Sequence, residues 1–218
     1  MADVRLAVFD CDGTMVDGQA DICEAMEQAF VHCALPAPDR HLIRRIVGLS
    51  LPRAMAMLAP DADNDAHDAL AEAYKQAFRT ARSEGRLAEP LFPGIADLVG
   101  QLHGSGWALG VATGKSDRGL THCLAAHNLS DHFVTLQTAD RHPSKPHPAM
   151  LDAALAEAGA LAHNAVMIGD TVFDIEMARY AGVRAIGVSW GYHEVSELLE
   201  AGAEVVAETP DELGEILR

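Results

Sequence analysis

Hydrophobic positions follow two different rhythms along the chain. Arg5-Leu-Ala-Val-Phe9 is a short apolar run stopped abruptly by Asp10-Cys-Asp-Gly-Thr14, the pattern of a buried strand entering a polar turn. From Ala20 the period becomes helical, with Ile22, Ala25, Met26, Ala29, Phe30 and Cys33 recurring at three- and four-residue steps. The same reading predicts helical segments over Arg40–Val47, Pro52–Leu58 and Ala66–Ser83, with no strand pattern between them. Pro90-Leu-Phe-Pro-Gly94 then punctuates the chain, and beyond it the two rhythms alternate. Strands are predicted over Ala108–Thr113, Phe133–Gln137, Ala165–Gly169, Ala185–Val188 and Glu204–Ala207. Helices are predicted over Ile95–His103, Asp117–His127, Pro148–Ala158, Val172–Ala181, Val195–Ala201 and Asp211–Leu217.

Alternating strands and helices imply an α/β fold, a Rossmann-like doubly wound parallel sheet with helices on both faces. The all-helical stretch after the first strand reads as an inserted α-helical cap domain. The expected division is a core of residues 1–15 and 92–218 and a cap of residues 16–91. In open α/β sheets the site lies at the carboxyl ends of the strands, so the residues after each strand decide the chemistry.

The first strand ends in Asp10 and Asp12, which share one side if the backbone stays extended. Crowded carboxylates repel unless they share a cation or a proton, although Asp-x-Asp-Gly-Thr is also good turn chemistry. The Ala165–Gly169 strand ends in Asp170, with Asp174 in the first turn of the next helix, where it could equally serve the helix dipole. Four carboxylates from two strand ends, with no His or Cys among them, suit Mg²⁺ better than zinc. The second core strand ends in Thr113-Gly114-Lys115, where a hydroxyl and an unhindered N–H can donate to an anion, though such turns are common. Ser144-Lys145-Pro146 follows the Phe133–Gln137 strand, so two of only three lysines stand just after strands.

Composition narrows the partners. The 218 residues carry 16 Lys plus Arg against 32 Asp plus Glu, a formal net charge of −16. That balance excludes a nucleic-acid binder, which needs a basic face, and requires any anionic substrate to be attracted locally. No apolar stretch approaches the roughly 20 residues of a membrane span, and Met1-Ala2-Asp3-Val4-Arg5 lacks a secretory pattern. The four cysteines, Cys11, Cys23, Cys33 and Cys123, show no C-x-x-C or zinc spacing, which reads as free thiols in a reducing cytoplasm.

Asp10-x-Asp12-Gly13-Thr14, Thr113, Lys145 and Gly169-Asp170-x₃-Asp174 resemble, in order and spacing, the four motifs of the haloacid dehalogenase-like superfamily, and the insertion resembles its type 1 cap. Leu91-Phe-Pro-Gly94, Thr113-Gly-Lys115, Lys145-Pro146 and Ser189-Trp-Gly-Tyr192 look most like its phosphoglycolate phosphatase branch. Met15 and Gly18 depart from the usual Leu and Ser or Thr at the start of the cap linker. The resemblance implies Asp10 as nucleophile, Asp12 as general acid and base, and Mg²⁺ held by Asp10, the Asp12 carbonyl, Asp170 and Asp174. It further implies phosphate binding by Thr113, Gly114 and Lys145. The loop from Val47 to Pro52 resembles a specificity loop, so Arg44, Arg45, Arg53 and Lys115 are candidates to meet the substrate, Arg45 and Lys115 first. The expected partner is a small phosphorylated metabolite, phosphoglycolate first, with neither nucleic acid nor membrane. Two other activities on the same fold stay open: a β-phosphoglucomutase-type transfer and a broader sugar-phosphate or nucleotide phosphatase. A silent binding protein would require a decayed motif, and none is decayed.

Overall fold

The computed structural model describes residues 4–218, so Met1-Ala2-Asp3 of the N-terminal reading lie outside the described residues. Strand β1 (Leu6–Phe9) is followed by four helices, α1 (Gln19–His32), α2 (Arg40–Arg45), α3 (Leu51–Leu58) and α4 (Asn64–Ser83). Alternation then begins with α5 (Ile95–Gly104), β2 (Ala108–Thr113), α6 (Asp117–Ala126), β3 (Thr135–Thr138) and α7 (Ala149–Ala158). It continues through β4 (Ala165–Gly169), α8 (Val172–Tyr180), β5 (Arg184–Val188), α9 (Val195–Ala201), β6 (Val205–Ala207) and α10 (Pro210–Ile216). The six strands form one parallel sheet in the order β3-β2-β1-β4-β5-β6, the doubly wound arrangement.

β1 is apolar without interruption because both its faces are covered. Ala7 and Phe9 enter the core beneath α5, α6 and α10, while Leu6 and Val8 enter the one beneath α7, α8 and α9, as the two-residue period of a strand requires. The chain runs from β1 to β2 and β3 on one side, then crosses to β4 on the other. The carboxyl ends of β1 and β4 therefore flank the switch point, and Phe9 lies beside Ile168 in register.

Helices α1–α4 bury a third apolar cluster, with Ile22, Met26, Phe30, Ile43, Met55 and Leu70 inside it and Phe173 and Tyr192 from the sheet side packed on it. The chain leaves for these helices and returns from them at one place. Val16 pairs antiparallel with Leu91, and Asp17 N–H donates to the Pro90 carbonyl at 2.8 Å.

The predicted boundaries shift where turns intervene. α2 stops at Arg45 rather than Val47 because residues 46–49 turn, with Gly48 at φ +94°, to lay a loop over the strand ends. β3 starts at Thr135 rather than Phe133, since a one-turn helix occupies Ser130–His132 and the first ladder partner of Gly110 is Thr135. α4 starts at Asn64 because Asp63 caps it, accepting from Ala66 N–H at 2.9 Å. Among the described residues, no helix is long and apolar enough to cross a membrane.

Candidate active site

Asp10, Asp170 and Asp174 meet at the switch point, all buried, with one oxygen from each within 4.8 Å of the other two. Asp170 ends β4 and is held from both sides: Thr14 Oγ1 donates to its Oδ1 at 2.7 Å and Tyr192 N–H to its Oδ2 at 3.0 Å. Gly13, at φ +82°, lets the turn after β1 pass against that carboxylate, where a Cβ would collide with Asp170 Oδ2. Asp174 does cap its helix: its Oδ2 accepts from the Thr171 hydroxyl at 2.7 Å and the Thr171 N–H at 3.2 Å. The same geometry turns its Oδ1 inward, so helix capping and site building are one act.

Lys145 reaches this group from the loop before α7. Its Nζ donates to Asp174 Oδ1 at 2.6 Å and stands 2.9 Å from Asp10 Oδ1, with its side chain wholly buried. If all three were ionised, three carboxylates against one ammonium would leave two uncompensated negative charges out of water, which is costly. Burial pushes the Asp10 carboxyl up from 3.8 to about 7, with Lys145 opposing that rise and Asp174 adding to it. Burial, with the Asp10 and Asp174 charges, also raises Asp170 far above the carboxylate range. Both Asp10 oxygens are buried without a hydrogen-bond donor of adequate geometry. An all-oxygen donor set and three buried carboxyl groups facing a single ammonium together fit a small hard divalent cation, as Mg²⁺ is.

This arrangement ties stability to pH. In the unfolded chain Asp10 loses its proton near 3.8, whereas in the folded chain it does so at about 7. Between those values the native state binds the extra proton, so without metal its stability falls as pH rises through that window. A divalent cation bound there would take the place of that proton. In calorimetry, Mg²⁺ is expected to raise the melting temperature more on the alkaline side of this window than on the acid side. An equal change on both sides would contradict the assignment.

The four carboxylates expected together divide into three and one. The strand ladder stops at Phe9, but the Asp12 charge still acts on Asp10 and helps to raise its carboxyl. The Asp12 carboxylate lies outside the group of three and faces Lys115, whose Nζ is 3.0 Å from Asp12 Oδ1 and 2.5 Å from Glu89 Oε1. Lys115 is thus engaged by two carboxylates rather than free for a substrate. Burial raises the Asp12 carboxyl, and the Lys115 charge opposes it. Glu89, on the returning link from α4, is not legible in the sequence as a site residue because its contact exists only once the insertion is in place. Thr113 is buried at the end of β2, where its hydroxyl accepts from Lys115 N–H at 3.3 Å. Gly114 sits beneath the α2–α3 loop, so close to the Gly48 and Leu49 carbonyls that a Cβ there would need the loop to move.

Arg45 does not face the strand ends. Its guanidinium makes two hydrogen bonds with the Glu197 carboxylate, at 2.6 and 2.7 Å, which ties α2 to α9. His193 adds to that tie: its Nδ1 accepts from Val172 N–H at 3.2 Å, which leaves Nε2 to donate to the Arg45 carbonyl at 3.2 Å. Ser144 Oγ accepts from Ser50 N–H at 2.8 Å, so the α2–α3 loop is pinned across the site as well. Arg44 bonds Gln19 at 3.3 Å and Arg53 is exposed.

The profile of the haloacid dehalogenase-like hydrolases matches residues 7–188. The chain belongs to that family. Among curated haloacid dehalogenase-like relatives, a protein of Dickeya dadantii named "Probable phosphatase IndB" is 36% identical over 214 residues, covering 95% of this chain and 91% of the relative. A phosphoglycolate phosphatase of Vibrio parahaemolyticus is 26% identical over 220 residues, covering 99% of this chain and 96% of the relative. Of solved structures, a haloacid dehalogenase-like family hydrolase from Streptococcus pneumoniae superposes with a TM-score of 0.85 at 26% identity, each chain covered in full.

Proposed function

We propose that this family member is a Mg²⁺-dependent phosphatase that hydrolyses a small phosphomonoester by way of a phosphoryl group carried on Asp10. The observation that carries the reading is the buried trio at the switch point, Asp10, Asp170 and Asp174, with Lys145 as its one buried ammonium. In the first half-reaction an Asp10 oxygen bonds to phosphorus and the ester P–O bond breaks, its electron pair leaving with the alkoxide oxygen. Asp12 supplies that oxygen with a proton; in the second half-reaction it takes a proton from the attacking water, which displaces Asp10 and releases inorganic phosphate. Lys145, Thr113 and the Gly114 N–H meet the phosphoryl oxygens. Asp10, Asp170 and Asp174, with the Asp12 carbonyl, would hold Mg²⁺, which when bound supplies positive charge against the phosphoryl group. Lys115, braced by Glu89, fixes the Asp12 carboxylate on the leaving-group side.

The four helices of the insertion act as a cap, held down through Arg45–Glu197 and Ser50–Ser144, and exclude water during transfer. The names of the relatives support hydrolysis of a phosphomonoester over transfer to a sugar. Cysteines without a disulfide support a reducing, cytoplasmic setting. A screen of phosphorylated metabolites with Mg²⁺, read by inorganic phosphate, tests the reading. Mg²⁺-dependent release that stops with chelator is the expected result. Conversion of β-glucose 1-phosphate without phosphate release would replace hydrolysis with the mutase reaction, and silence on every monoester would remove the enzymatic reading.

A further inference from the structure

Between the insertion and the sheet lies a cavity of about 450 Å³ that reaches the Asp12 carboxylate. A two-carbon acid as leaving group displaces about four waters' volume, roughly 120 Å³ at about 30 Å³ each. The cavity is therefore several times larger than such a group needs, and sits in the range of pockets for larger ligands. Its insertion wall is apolar and aromatic, formed by Ile22, Met26, Leu49, Tyr74 and Phe78, with the Tyr74 and Phe78 rings 5.0 Å apart.

The charges around this wall are unlike those of the rest of the chain. Five of the 16 basic side chains line it, in a protein of net charge −16. Lys115 is engaged by Asp12 and Glu89, and Lys75 and Arg79 by Glu72. Arg82, from α4, and Arg118, from α6, have no hydrogen-bonding or ion-pair partner among the described residues. Arg118 also stands in the first turn of α6, the end of a helix where its dipole disfavours a cation. Two unpaired guanidiniums, one from each side of the cleft, thus face a cavity whose inner end is Asp12.

We infer that the preferred substrate is a phosphomonoester whose leaving group has an apolar, planar body and carries a second anionic group at its far end, read by Arg82 and Arg118. This rests on the phosphatase reading above and names the substrate class of the same site. The aromatic wall contacts the body of the leaving group, and the guanidiniums, which offer forked donors to carboxylate or phosphate, meet its distal anion.

The test compares phenyl phosphate with 4-carboxyphenyl phosphate, which share the phenyl body and differ by the distal carboxylate, and phosphoglycolate as the small acid. We expect kcat/KM for the carboxylated ester to exceed that for phenyl phosphate by about 10-fold to 100-fold, the scale of a charged hydrogen bond, and to exceed that for phosphoglycolate. In the Arg82→Gln/Arg118→Gln variant the ratio between the two aryl esters should fall towards one, and Arg82→Lys should restore part of it. A variant that folds poorly lowers both values together and leaves their ratio intact, so the ratio isolates recognition. A native ratio near one, or a high ratio that the double variant keeps, overturns the inference while phosphate release still upholds the phosphatase. Absence of phosphate release from these and all other monoesters overturns the phosphatase reading itself.

Discussion

Replacing Asp10 by Asn is expected to lower phosphate release by at least about 10³-fold, the scale of losing an essential nucleophile, while the chain stays folded. The second half of the expectation is less usual: without Mg²⁺ the variant should be more stable than the native chain. Asp10 is buried beside two other carboxylates, and burial lifts its carboxyl to about 7 despite the opposing charge of Lys145. Above that pH its ionised form is held at a cost on the order of a few kcal/mol, since each tenfold weakening of an acid corresponds to about 1.4 kcal/mol. A neutral amide of the same shape removes that cost. Calorimetry in chelator should show a higher melting temperature for Asp10→Asn at alkaline pH and little difference on the acid side. Added Mg²⁺ should reverse the order by stabilising the native chain alone. Turnover within about 10-fold of native would end the nucleophile assignment, and an unchanged alkaline melting temperature would end the electrostatic one.

Lys145→Met should produce the largest loss of stability of any single change at the site. The side chain is wholly buried and its Nζ lies within 2.9 Å of two carboxylates. Removing it leaves three acids with no cation, and breaking a buried pair in this way costs about 3–5 kcal/mol. Urea unfolding in chelator reads that loss directly. Arginine should not substitute, because the planar guanidinium needs room that a fully enclosed ammonium site does not have. Mg²⁺ should return part of the stability to Lys145→Met but not its turnover, because the phosphoryl oxygens still lack their ammonium. A loss below about 1 kcal/mol, the scale of an exposed pair, would mean that the trio is neutralised in some other way.

What can be read from the sequence follows the range of the interactions. β2, β4 and α9 fall where the hydrophobic pattern puts them, since a buried run bounded by turn residues is a local signal. Asp10, Lys145, Asp170 and Asp174 are visible for the same reason, each standing at or just beyond the end of such a run. The separation of Asp12 from the other three carboxylates is not visible, because it is set by Lys115 and Glu89, which the insertion brings together. Arg45 looks like a substrate residue from its place beside the loop, yet its partner, Glu197, lies 152 positions away, and no spacing rule reaches that distance. Glu89, Arg82 and Arg118 belong to the same class. Their neighbours are set by how the insertion lies on the sheet, and nothing in a local pattern encodes that.

The antiparallel pairing of Val16 with Leu91 has a consequence for how the chain came to be assembled. Because the outgoing and returning links touch, the intervening helices close a loop whose ends are already together. Lengthening or exchanging such a loop changes its closure entropy only slowly, by about 0.6 kcal/mol per doubling. Insertions succeed at sites of this kind without disturbing the host fold. A sheet that keeps Asp10, Lys145 and Asp170 in register can therefore accept a different set of helices as a single genetic event. Such an exchange would replace most of the cavity's apolar wall and Arg82, while Arg118 would stay with the sheet.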